Sequence, residues 1–188
     1  MTAPRIVHLM RHGEPEGAGR MIGHGDPPAT PAGIAACVAA AALLTPVAIV
    51  ASDLARAHAC ADAIGGPHGL AAGRDARWRE LNFGDWDGRH PRDLDPDALA
   101  RFWADPDGAP PPGGERWSAL VERVGAAIPA LVDETLVVTH AGAIRAALAV
   151  SCGFDARQTW AFALPYAGIV TLRLWPDTPP VAQIVRLA

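Results

Sequence analysis

The sequence contains no lysine: its sixteen cationic side chains are all arginines, set against twenty Asp and Glu in 188 residues. An all-arginine complement is compatible with phosphate recognition, because the guanidinium fork matches phosphate oxygens. In a chain rich in Ala, Gly and Pro it reads instead as compositional bias. No arginine run forms a basic stripe and the net charge is −4, so a nucleic-acid partner is not expected. Cysteine is scarce as well. Cys37, Cys60 and Cys152 are odd in number, widely spaced and set among Ala and Val, which excludes a disulfide or zinc framework and fits small core residues in a reducing compartment. Long apolar runs are missing too. The stretch AACVAAAALL is too short to cross a bilayer, and no charged n-region precedes an apolar h-region near the start, so a cytoplasmic protein without membrane contact is expected.

Half of the residues are apolar and 19% are charged, enough to build one core. The length predicts a single domain over residues 1–188. RIVHLM, residues 5–10, is a short β-branched run closed by Gly13 and Pro15, hence a strand. Thr30 and Pro31 open an Ala-rich helix that Pro46 stops. VAIVAS, residues 47–52, is a second strand, after which Ser52 or Asp53 caps a helix through about Ile64. Residues 135–139 form a third strand, followed by a turn and a helix, AIRAALAVSCG, that ends at Gly153. Runs 168–175 and 181–188 form a closing hairpin around PDTPP. This alternation predicts an α/β fold, a three-layer α/β/α sandwich on a mostly parallel sheet. Residues 80–118 break the pattern, dense in Pro, Gly, Asp and Trp with one short helix near 96–104, and are expected to form a lid or wall.

Ligands of parallel α/β sheets bind beyond the carboxyl ends of the strands, where helices begin. Those ends carry Arg11, His12 and Glu14; then Ser52, Asp53 and Arg56; then His140, Ala141 and Gly142. Two arginines and two histidines thus gather on one edge of an acidic protein. Hydrogen bonds to a charged group contribute about 1.5–3 kcal/mol each, so several can hold a phosphoryl dianion without a metal or cofactor.

LMRHGEPE resembles the Arg-His-Gly signature of the histidine phosphatase superfamily, which includes the cofactor-dependent phosphoglycerate mutases. GHGDPPATPAG, ASDLARAHACADAI and VVTHAGAIRAAL are similar to further blocks of that family, so the resemblance spans residues 5 to about 150. It implies that His12 is the nucleophile that becomes phosphohistidine. It also implies that Arg11, Arg56 and His140, with Ala141, bind the phosphoryl group. Chemistry supports these roles, since neighbouring guanidinium charges disfavour imidazolium and stabilise a phosphoenzyme. The leaving alkoxide needs a proton, for which Glu14, Glu16, Asp53 and Glu80 are candidates. Glu80 lies in RWRELNFGDWDG, which is similar to the phosphatase form of a family block whose Glu is the acid/base, and is placed first. That block with APPPGGERW resembles α-ribazole phosphatases and their broad-specificity relatives.

The pattern also departs from the family at Ala29, at Asp87 and in RAHAC. The Asn that many relatives carry after Glu14 is replaced by PEGAGR, where backbone N–H groups near Gly17 and Gly19 are expected to serve. His8 lies about 13 Å along a strand from His12 and is expected on a strand face. His24, His58, His68 and His90 show no ligand spacing and are expected in solvent or cap contacts, with His24 and His90 alone in loops close enough to reach substrate as an alternative. Trp86, Trp103 and Trp117 are expected to pack the lid onto the domain, with an aromatic wall for a nucleoside-like leaving group as the alternative. Arg145 and Glu115 match family positions, and Arg145 is expected to pair structurally. The resulting expectation is a metal-independent phosphomonoesterase, a monomer or homodimer, acting on a small phosphorylated metabolite such as α-ribazole 5′-phosphate. The alternatives are a phosphoryl-transfer mutase and a non-catalytic phosphate binder.

Overall fold

The computed structural model describes residues 3–176 and 181–188. Strand β1 (Arg5–Arg11) leads to helix α1 (Pro31–Ala41), then β2 (Ala48–Ala51), α2 (Ala55–Gly65) and β3 (Ala72–Arg74). After α3 (Pro96–Ala104) and α4 (Trp117–Gly125) come β4 (Thr135–Thr139), α5 (Ala141–Cys152), α6 (Ala156–Thr159), β5 (Ile169–Trp175) and β6 (Val181–Leu187). The six strands form one sheet in the order β3-β2-β4-β1-β5-β6. The pairs β2–β3, β2–β4 and β1–β4 are parallel, while β1–β5 and β5–β6 are antiparallel.

Side chains alternate across a strand, so one sequence feeds two cores. Val7, Leu9 and Val137 pack with α4 and α5 through Leu120, Val124, Ile144 and Leu148. Met10, Leu136 and Val138 pack on the other face with Cys37 and Ala41 of α1 and Cys60 and Ile64 of α2. The expected three-layer sandwich with a mostly parallel sheet is the observed fold. The hairpin strands β5 and β6 pair as expected, with four of the five residues of the PDTPP turn, 177–180, outside the described residues.

Several boundaries depart from the expectations for local reasons. Thr30 caps α1, its Oγ1 accepting from the Gly33 N–H at 3.0 Å, but the helix stops at Ala41, well before Pro46. There the Leu44 N–H turns back to the Ala41 carbonyl at 2.8 Å, which buries Leu44. Neither Ser52 nor Asp53 is the N-cap of α2, which is Leu54. Asp53 is drawn away by Arg79, and Asp26 from a separate loop accepts the Ala55 N–H at 2.6 Å instead. Helix α5 begins at Ala141, so Ala141 and Gly142 are its first turn and not a preceding loop. The short strand β3 and helices α4 and α6 were not anticipated, although α4 is amphipathic and Asp155 with Gln158 forms a capping box at the start of α6.

The 80–118 segment contains the expected α3, capped by Asp95, and two 3-10 turns at Gly84–Trp86 and Pro91–Asp93. Its ends are tied together: the Glu115 N–H donates to the Asn82 carbonyl at 2.8 Å, and the Asp85 N–H to that of Pro112 at 2.9 Å. Gly84, at φ +51°, lies so close to the backbone of Pro112, Gly113 and Gly114 that any side chain there would collide.

Candidate active site

Strands β1 and β4 are parallel and in register, with Arg11 beside Thr139, and the His12 N–H extends the ladder to the Thr139 carbonyl at 2.8 Å. His12 and His140 therefore leave neighbouring strands at the same end of the sheet. Their rings meet edge to face, with centroids 4.9 Å apart. Behind His12 the chain passes directly over α1, where a Cβ on Gly13 would strike the Gly33 backbone.

The orientation of the His12 ring follows from one bond. Its Nδ1 lies 2.6 Å from the Gly13 carbonyl oxygen, which can only accept, so Nδ1 carries the proton and Nε2 keeps its lone pair. Burial, then the positive charges of Arg56 and Arg11, lower the His12 pKa to about 3, against the opposing pull of the Gly13 carbonyl. His140 is fully buried and is pushed well below its ordinary pKa by burial, then by Arg56 and His12, and neither ring nitrogen has a partner. Two neutral imidazoles beside guanidinium groups form a nucleophilic, anion-accepting cluster.

Arg11 lays its Cζ 3.9 Å over the Tyr166 ring and donates to the Leu164 carbonyl at 2.6 Å. Arg56 is fully buried, donating from Nη1 to the Gly25 carbonyl at 2.8 Å and from Nη2 to that of Gly23 at 2.6 Å. The Nε of each arginine is buried without a hydrogen-bond partner. Buried donors are ordinarily satisfied, so the unpaired Nε atoms leave both arginines with unused capacity for an anion.

Glu80 closes the site from the other side. Its Oε1 accepts from the Leu81 N–H at 2.8 Å and its Oε2 from the Gly142 N–H at 3.1 Å, in the first turn of α5. A Cβ on Gly142 would overlap the Glu80 carboxylate. The Glu80 carbonyl accepts from Arg123 at 2.8 Å and approaches His24 Nε2 at 3.0 Å, while Arg123 grips Glu115 at 2.7 and 2.9 Å. The carboxylate is thereby held from front and back.

A cavity of about 290 Å³ opens from this end of the sheet, lined by Arg11, His12, Glu80, Ala141 and Gly142 at its base. A family model for the histidine phosphatase superfamily (branch 1) matches residues 7–186. The chain belongs to this superfamily. As a histidine phosphatase, it is 31% identical over 173 residues to the adenosylcobalamin/α-ribazole phosphatase of Salmonella typhimurium, covering 82% of this chain and 83% of that one. It is 34% identical over 160 residues to the glucosyl-3-phosphoglycerate phosphatase of Mycolicibacterium vanbaalenii, covering 81% and 71%. A mycobacterial glucosyl-3-phosphoglycerate phosphatase solved with VO3 superposes with a TM-score of 0.86 at 28% identity, covering 97% of this chain and 98% of that one. A putative α-ribazole-5′-P phosphatase from Escherichia coli superposes with a TM-score of 0.85 at 27% identity, covering 97% and 95%.

Within this histidine phosphatase the anticipated residues separate into groups. Arg56 and His140 are fully buried and absent from the cavity wall. Glu14 and Glu16 are exposed and do not line the cavity. Asp53 is bound by Arg79 at 2.7 and 2.6 Å, and that hydrogen-bonded pair lowers its pKa, so it is held as a carboxylate. Ser52 is fully buried and accepts the Leu54 N–H at 3.3 Å. His24 supports the Glu80 carbonyl and the half-buried His90 faces the Gly19 carbonyl at 3.2 Å, contacts with the backbone as expected; neither lines the cavity. From the 15–22 loop it is Pro15, Arg20, Met21 and Ile22 that line it, not Gly17 or Gly19, which serve the turn with φ of +74° and +91°. His8 bridges Thr171 and Glu134 at 3.0 and 3.1 Å on its strand face, as expected. His58 approaches Asp62 on its own helix at 3.7 Å, and His68 is exposed.

The tryptophans divide. Trp86 packs edge-on against Phe102, with centroids 5.7 Å apart, as expected; Trp103 packs on Phe102 and Trp117 against the core as well, and these two also line the cavity. Arg145 faces the cavity too and forms no ion pair among the described residues, which corrects the expectation of a structural pair. Tyr166, Trp160 and Arg20 were missed, because a lone aromatic or arginine in a loop carries no local signal. Among the described residues no group of three or more His, Cys, Asp or Glu side chains is arranged to hold a metal ion, and no helix is long and apolar enough to cross a membrane.

Proposed function

We propose that this histidine phosphatase is a metal-independent phosphomonoesterase working through a phosphohistidine on His12, with residues 80–118 as one wall of the substrate chamber. The observation that carries the reading is the bond from His12 Nδ1–H to the Gly13 carbonyl, which leaves Nε2 as the basic atom of a ring kept neutral by its surroundings. Nε2 attacks phosphorus while Arg11, Arg56 and His140 take up the charge of the transferring phosphoryl group. The Glu80 carboxyl gives its proton to the departing alkoxide, and the resulting carboxylate accepts one from the water that cleaves the P–N bond. Each step balances: one ester bond and one water are consumed, yielding an alcohol and inorganic phosphate.

The substrate class is a small phosphorylated metabolite. The flat heterocycle of α-ribazole 5′-phosphate suits walls made of Phe83, Trp103 and Trp117, in line with the relatives named for that compound. The relatives named for glucosyl-3-phosphoglycerate make an acidic ester the other candidate.

The test is turnover of a generic aryl phosphate in the presence of chelator, with a rapid acid-labile phosphoenzyme trapped on His12. His12→Ala is expected to lose at least about four orders of magnitude in kcat, as for removal of other nucleophiles, while keeping its fold by circular dichroism. Retained activity in the variant, or its abolition by chelator, sinks this mechanism. Transfer to a phosphoglycerate acceptor in place of water would reassign the protein as a mutase.

A further inference from the structure

Beyond the phosphoryl site the chamber is walled by Phe83, Trp103, Trp117 and Trp160, and a single buried cation, Arg145, is set among them. Arg145 projects from α5 and is 9% exposed, with its Cζ 4.0 Å over the face of Trp160. Its Nη2 makes one long bond, 3.4 Å, to the Phe162 carbonyl, and its Nε is buried with no partner. Elsewhere Arg79 meets Asp53 at 2.6 Å and Arg123 meets Glu115 at 2.7 Å, whereas Arg11 and Arg56 at the base of the chamber donate only to backbone carbonyls. Arg145 has no acid partner among the described residues. An indole face tolerates a cation without neutralising it, so the guanidinium remains an unsatisfied charge in an apolar chamber.

The position of this charge matters for the reaction. Arg145 lines the same chamber as Glu80 and projects from α5, the helix whose first turn holds the Glu80 carboxylate. Trp160 packs against the guanidinium, and a planar guanidinium fork without an acid partner is complementary to a carboxylate. Arg20, the other arginine on the outer wall, is exposed and tied to the Gly88 carbonyl at 2.7 Å, so solvent screens it.

We propose that Arg145 determines specificity by receiving a carboxylate on the leaving group, so that the preferred esters are phosphomonoesters of small organic acids and not of neutral alcohols. This rests on the phosphomonoesterase reading of the same site, and it ranks acidic esters above α-ribazole 5′-phosphate.

Non-hydrolysable probes test the anion site without relying on turnover. Phenylphosphonate and its 3- and 4-carboxy derivatives are titrated by calorimetry into the wild-type protein and the Arg145→Gln, Arg145→Lys and Arg20→Gln variants. In the wild type at least one carboxy derivative is expected to bind about 10- to 100-fold tighter than phenylphosphonate, the range of a charge-assisted hydrogen bond. Arg145→Gln should bring that ratio close to one, Arg145→Lys should keep part of it, and Arg20→Gln should preserve it. Absence of the preference in the wild type overturns the proposal without needing any variant to fold. Its survival in Arg145→Gln, or its loss in Arg20→Gln, overturns it as well. If the preference holds while no phosphoenzyme forms on His12, the hydrolytic reading falls and the carboxylate site stands. If phosphoenzyme forms and the preference is missing, the reverse follows.

Discussion

The two ends of the chamber are built by different means. At the base, His12, His140 and Glu80 are held by backbone: ladder bonds from β1 to β4, the Gly13 carbonyl, and the first turn of α5. At the outer end, Trp103 of α3 meets Trp160 edge-on with centroids 4.9 Å apart, and Trp103 itself is 41% exposed. The base is over-determined, so its atoms can be placed closely enough for proton and phosphoryl transfer. The outer end is contact between side chains on separate segments, which can be exchanged for a different leaving group without disturbing the chemistry.

If that division holds, substitutions at the base should change kcat and those at the outer wall KM. Glu80→Gln is expected to slow alkyl phosphates by about 10²- to 10⁴-fold, while an aryl phosphate with a good leaving group is slowed far less. Equal slowing of both would reassign the acid, and kinetics across a leaving-group series reads the difference. Gly142→Ala should act in the same direction but less strongly, since its Cβ meets the Glu80 carboxylate; rates falling evenly across the series would mean that Glu80 is not the group displaced.

The neutral histidines make the base sensitive to acid. The His12 pKa is about 3 in the fold against an ordinary 6.5, so below pH 6.5 the unfolded chain binds protons that the folded one does not. Stability should therefore be complete above pH 6.5 and fall as pH drops toward 3, by about 1.4 kcal/mol per pH unit for each such histidine. His140 is lowered for the same first reason, burial, and adds to the slope. Denaturant melts from pH 7 to 4 should be steeper for the wild type than for His12→Asn, and parallel curves would refute the assignment of these rings as neutral.

The smallest effect is expected from Trp103→Ala, a rise in KM of about tenfold for esters with bulky leaving groups, with kcat and melting temperature little changed. A fall in kcat of the same size would break the comparison, because it would make the outer wall part of the catalytic geometry.

The base was legible before any coordinates because its residues sit in short blocks whose spacing is enforced by a strand end, a glycine and a helix start. His12 with Gly13, and His140 with Gly142, follow that rule, and so does Thr30 with Pro31. The cap of α2 was not legible, because Asp26, which supplies it, is 29 residues from the N–H it binds. Arg145 was misjudged for a related reason. The sequence places an arginine on α5 but not the indole of Trp160, fifteen positions later, that covers it in place of an acid.

By itself, then, the sequence determined the main alternation of strands and helices, without β3, α4 and α6, and which polar side chains stand at the strand ends, because period, caps and turn residues act over a few positions. Only the tertiary structure decided which groups face the chamber and which do not, which acid is free and which is claimed by an arginine, and which of the packed aromatics also line the wall. Those outcomes depend on contacts between residues far apart in the chain, and no local pattern encodes such contacts.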